Sequence, residues 1–68
     1  MKIPKGLSER QGEVYELVAE GLPYSAIAVI LKIETRTVED HALRIKRQLN
    51  LEGPPGKAIM IHARPLRG

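Results

Sequence analysis

Residues 35–49, TRTVEDHALRIKRQL, gather four cations, two carboxylates and two threonines at helical spacing. Arg36, Arg44, Lys46 and Arg47 have the chemistry to neutralise phosphate. Contacts of that kind supply affinity and register but carry no sequence information. Thr35 and Thr37 stand at the start of the segment, where a hydroxyl and free backbone N–H groups both suit a phosphate oxygen. Glu39 and Asp40 repel phosphate, yet a carboxylate can accept a hydrogen bond from cytosine N4. Lys32 lies just upstream and Lys57 downstream, as further cations behind the segment. This is the chemistry of recognition rather than of bond breaking. The chain has no cysteine, and its two histidines, His41 and His62, stand apart in sequence. Neither has a neighbouring nucleophile, acid–base partner or ligand cluster, so no catalytic residue, metal site, cofactor or enzymatic activity is expected.

The same residues carry plainer readings. A solvated helix face accounts for Glu39 and Asp40 as well as base reading does, and helix surfaces carry basic residues in any case. Val38 offers methyls to a thymine, but its spacing with Ala42, Ile45 and Leu49 favours core packing. Leu43 falls on the outward side, facing water, a groove or another protein. His41 reads as a buried, hydrogen-bonded group. Tyr15 and Tyr24 are the only aromatics, too few for a platform that stacks single-stranded bases.

Four helices are predicted to position these groups, over about residues 8–20, 23–32, 35–50 and 55–64 of a single domain spanning 1–68. Ser8 and Gln11 fit a capping box for the first. Gly12 inside it marks a close packing contact, and Gly21 is its stop. Pro23 suits the first position of the second helix, with Ile27, Ala28 and Leu31 inward. Val29 and Ile30 are apolar too and leave that helix little polar surface. A very short connection through Ile33 and Glu34 then gives two helices joined at a steep angle, the helix-turn-helix arrangement. Asn50 ends the third helix. EGPPG, residues 52–56, forces a turn before the last. Residues 1–6 read as an irregular arm whose Lys2 and Lys5 can reach phosphate. In the last helix Ala58, Ile59, Met60, Ile61 and Ala63 are apolar on every side, so one face closes the core and the other meets a partner. Ala58, Ile59, Ile61 and His62 are the expected contacts of a homodimer.

Sixty-eight residues are near the lower limit for a core that folds unaided. The formal net charge is +3, distributed unevenly: residues 7–21 sum to −3 and residues from 22 onward to +4. A polyanion would therefore meet the later two-thirds. The longest apolar run, residues 26–31, is too short for a membrane span. The start, MKIPKGLSE, lacks the apolar core of a signal peptide, so a cytoplasmic location is expected.

Leu7-Ser8-x-Arg10 with Glu13-Val14, Ala19-x-Gly21, Ile27-Ala28-x-x-Leu31, and Thr37-Val38-x-x-His41 followed by Ile45 and Leu49 keep a consistent spacing. Together they resemble the LuxR-type (GerE-like) DNA-binding domain of bacterial transcription regulators, over about residues 7–63. The resemblance implies an all-α, four-helix helix-turn-helix domain. It implies that the third helix reads the major groove of double-stranded DNA and that the fourth dimerises. Three departures from the family stand out. Glu39 stands where lysine or arginine is usual. Glu34 replaces a serine N-cap, leaving Thr35 as a substitute. Val29 and Ile30 occupy commonly polar or basic positions. A small regulator of double-stranded DNA, bacterial or from a phage, is the leading expectation. The alternative is an interaction module that binds a regulator or a component of the transcription machinery through Val29, Ile30 and Leu43. A third reading, a detached promoter-reading part of a sigma factor, fits the helix after EGPPG less well.

Overall fold

The Ser8 hydroxyl accepts a hydrogen bond from the Gln11 N–H at 3.2 Å, and Gln11 Oε1 accepts from the Ser8 N–H at 3.0 Å. This reciprocal cap satisfies two donors that the first turn leaves free and sets the start of helix α1, Glu9–Ala19. The computed structural model describes residues 4–63. After α1 come α2 (Tyr24–Leu31), α3 (Thr35–Gln48) and α4 (Pro55–Ala63), with no strand among the described residues. The expected helices match these to within one or two residues at each end, the difference being the caps. Arg64 and Lys2, placed by sequence in the last helix and the arm, lie outside the described residues.

Helices α1, α2 and α3 end in the same way. Beyond each, one residue adopts a left-handed backbone: Gly21 at φ 92°, Lys32 at φ 58° and Asn50 at φ 57°. The following residue turns its N–H back into the helix. Leu22 donates to the Leu17 carbonyl at 3.3 Å, Ile33 to Ala28 at 3.0 Å and Leu51 to Lys46 at 2.9 Å. The left-handed residues donate to Val18, Val29 and Arg47. These are the paired bonds of a Schellman ending, which satisfies carbonyls the helix cannot use. Leu22, Ile33 and Leu51 then pack half-buried against the core. The backbone bonds and one apolar anchor at each ending thus set the direction in which the next segment leaves.

Helices α1 and α3 pack against each other, and each also packs against α2 and α4. The core comprises Val14, Tyr15 and Val18 of α1, Ile27 and Ala28 of α2, Val38, Ala42 and Ile45 of α3, and Ala58 and Ile59 of α4. Gly12 is also buried within α1. A Cβ added at Gly56, in the first turn of α4, would come 3.0 Å from the Tyr24 hydroxyl. Glycine there lets α4 lie close against the first residue of α2.

Four expectations change. Ala58 and Ile59, expected at a dimer contact, are buried in the core, Ile59 completely. They close the domain and cannot face another subunit. Pro23 is the N-cap of α2 rather than its first helical residue. Thr35 does not cap α3; the cap is Glu34, whose side chain makes no capping bond. His41 is half-buried, but its Nδ1 is buried with no hydrogen-bond partner among the described residues. No helix among the described residues is long and apolar enough to cross a membrane.

Candidate nucleic-acid interface

Burial of Val38, Ala42 and Ile45 fixes how α3 is rotated. Val38 is fully buried, so its role is packing and not contact with a thymine. With that stripe inward, helical periodicity turns Arg36, Asp40 and Arg47 away from the core. Those three are exposed, as are Thr35, Thr37, Glu39 and Arg44. Lys46 is half-buried at the flank. Leu43, expected to face water or a groove, is also half-buried. Lys32 is exposed in the turn that leads into α3. The expected contact residues therefore share one helix and the corner before it.

The charges on this surface are not equivalent. Arg44 Nε lies 2.9 Å from Asp40 Oδ2, one helical turn away. Among the described residues Lys32, Arg36, Lys46 and Arg47 form no ion pair. Burial, and then the Glu39 carboxylate, push the Tyr24 hydroxyl above its usual pKa, against an opposing pull from the Gly56 backbone. The first half of α3 thus carries Arg36 against two carboxylates, and the second half carries Arg44, Lys46 and Arg47. The uncapped start of α3 contrasts with the closed cap of α1. Without a side-chain cap, first-turn N–H groups of α3 remain for water or an anion.

Two apolar surfaces lie outside α3. On α2, Val29 is 77% exposed and Ile30 53%. On α4, Met60 is 46% exposed and Ile61 56%. Of the four residues expected at a dimer contact, only Ile61 and His62 are at the surface, and Met60 joins them. His62 is also held within the chain, its Nδ1 2.9 Å from the Tyr15 hydroxyl. Tyr15 stands three residues before Val18 at helical spacing, which marks it as a core position, but no sequence signal marked its pairing with a histidine 47 positions away. The Asp40–Arg44 pair did have one, the i,i+4 spacing of opposite charges on a helix. Among the described residues no group of three or more His, Cys, Asp or Glu side chains could hold a metal ion.

A sequence model of the family described as "Bacterial regulatory proteins, luxR family" (GerE) matches residues 5–61. That range contains α1, α2, α3 and most of α4. No curated protein and no solved structure gives a significant match to the chain.

Proposed function

The chain belongs to the luxR family of bacterial regulatory proteins, and we propose that it binds double-stranded DNA with α3 in the major groove, as a two-fold dimer joined through α4. Membership makes it a DNA-binding domain of a transcription regulator. The observation that carries the finer reading is the outward side of α3. Arg36, Arg44 and Arg47 are exposed there, and its first turn is uncapped. Lys32 adds a cation at the corner. Met60 and Ile61 offer a second copy the same apolar strip, as a two-fold contact requires. Two half-sites about one helical turn apart, roughly 34–36 Å, then follow from symmetry.

A salt titration of binding to a pool of duplexes tests this. Affinity should fall steeply as salt rises, because phosphate contacts release counterions. Absence of salt-dependent duplex binding at low ionic strength would overturn it.

The exposure of Val29 and Ile30 favours a second reading, a module that docks on a regulator or a component of the transcription machinery and binds DNA weakly. Those two side chains and half-buried Leu43 would form the contact. Replacing Glu39 and Asp40 by lysine bears on both readings. A uniform rise in DNA affinity across sequences means the carboxylates only oppose phosphate. Loss of preference for one site means they help to read bases. Failure of the double variant to bind duplex favours the interaction module.

A further inference from the structure

We infer that Asp40 is a positioning residue that aims the Arg44 guanidinium at a guanine; this rests on the DNA-binding reading above. The contact between them is made at Arg44 Nε, on the inner edge of the guanidinium. The Arg44 side chain is 65% exposed, which leaves room for the Nη donors at its tip to meet a ligand. Arginine reads guanine by presenting two parallel N–H donors to O6 and N7. A planar fork does this only if its plane is set, and a free arginine loses rotamer freedom when it is fixed. Asp40 supplies that constraint from one turn N-terminal, the favoured order for an acid–base pair on a helix.

In water the pair is weak, since both partners are largely exposed and screened. Closing α3 against base edges expels water and strengthens the attraction. The same carboxylate would make non-specific binding poorer, because it opposes phosphate and occupies a cation that phosphate would otherwise take. Asp40 thereby raises specificity at the expense of general affinity. Glu39 is different: no ion pair holds it among the described residues.

The experiment is selection from random duplexes with the wild type, Asp40→Ala, Asp40→Asn and Arg44→Lys, together with salt titrations on the selected site. Circular dichroism checks that each variant is folded. The wild type should enrich a guanine in each half-site. Asp40→Ala and Arg44→Lys should each lower the preference for that guanine by about tenfold or more. Asp40→Ala combined with Arg44→Lys, carried through the same selection, should be no worse than either single variant, as expected for a coupled pair. Asp40→Ala should also steepen the salt dependence by about one unit, as Arg44 is released to phosphate. A merely structural role would weaken binding to all sequences alike and leave base preference unchanged. Salt-dependent duplex binding with the guanine preference intact in Asp40→Ala would overturn the inference alone. Absence of duplex binding by the wild type would overturn it together with the reading it rests on.

Discussion

The Tyr15 hydroxyl and His62 Nδ1 lie 2.9 Å apart, and their rings meet edge to face at 77° with centroids 5.9 Å apart. Tyr15 is buried on α1, and His62 stands at the far end of α4. The contact fastens the last turn of the described chain to the first helix. An aromatic pair in this geometry contributes about 0.5–1.5 kcal/mol beyond burial. Tyr15→Phe keeps the ring and removes the hydroxyl. It should lower stability by about 0.5–1.5 kcal/mol, read as a lower denaturant midpoint with an unchanged slope.

Alkaline pH should destabilise the fold through both tyrosines. Burial raises the pKa of Tyr15, and burial with Glu39 raises that of Tyr24, above the usual phenol value of about 10. A raised value means the folded chain holds its proton more tightly than the unfolded one. The stabilisation is therefore complete below pH 10 and is lost as pH rises through the folded values. Denaturant titrations from pH 8 to 11 should show stability falling from about pH 10 upward, with a shallower fall in Tyr15→Phe/Tyr24→Phe. An identical fall in that variant would assign the effect to other groups.

Glu34 is an N-cap without a capping bond, and it places a carboxylate beside the proposed phosphate contact. Glu34→Ser should stabilise the domain by about 0.5–1 kcal/mol. For a chain of this size that is a rise in melting temperature of about 4–8 °C per kcal/mol. A scanning calorimeter would register it, and no rise would show that Glu34 already serves the helix dipole equally well.

Lys32 holds a left-handed backbone at φ 58° and ψ 45°, a conformation that costs a non-glycine residue about 1–2 kcal/mol. Lys32→Gly should recover part of this, since glycine is the usual residue at such a corner. The same change removes a cation, and if Lys32 touches phosphate the salt dependence of binding should become shallower by about one unit. Stability and salt slope are separate readouts, so the two roles can be scored independently.

The two sides of α4 should respond oppositely. Ile59→Ala removes a fully buried side chain and should cost about 2–5 kcal/mol, a large part of what a small domain has. Met60→Asp with Ile61→Asp alters only exposed positions. It should leave the monomer folded and abolish association in sedimentation, while weakening binding to a two-half-site duplex far more than to a single half-site. Unchanged association would remove α4 as the dimer contact.

Local signals in the sequence carried most of the fold. Ser8 with Gln11, Gly21 as a stop, and the Val38–Ala42–Ile45 stripe each rest on neighbours within a turn or two, so spacing alone was enough. Helix α4 was ambiguous because every side of it is apolar. Only the packing of α1 and α3 against it decides that Ala58 and Ile59 go in while Met60 and Ile61 stay out. The left-handed Lys32 was hidden because lysine has no preference for that conformation. The Tyr15–His62 pair was hidden because it joins residues distant in sequence. At the interface, residue types were legible, and the i,i+4 spacing of Asp40 and Arg44 also carried a signal for their ion pair.

The repeated ending after α1, α2 and α3 has a consequence for variation. Each corner is built from main-chain bonds and a single greasy anchor, Leu22, Ile33 or Leu51. None of the three draws on the outward side chains of α2 or α3. Substitution at those positions therefore leaves the corners intact, and what the protein recognises can change without refolding it. A carboxylate at position 39 or a valine at position 29 is the kind of change such a chassis absorbs. The bends rest on backbone bonds and buried anchors while the displayed side chains carry no part of them, so recognition can be altered one exposed side chain at a time.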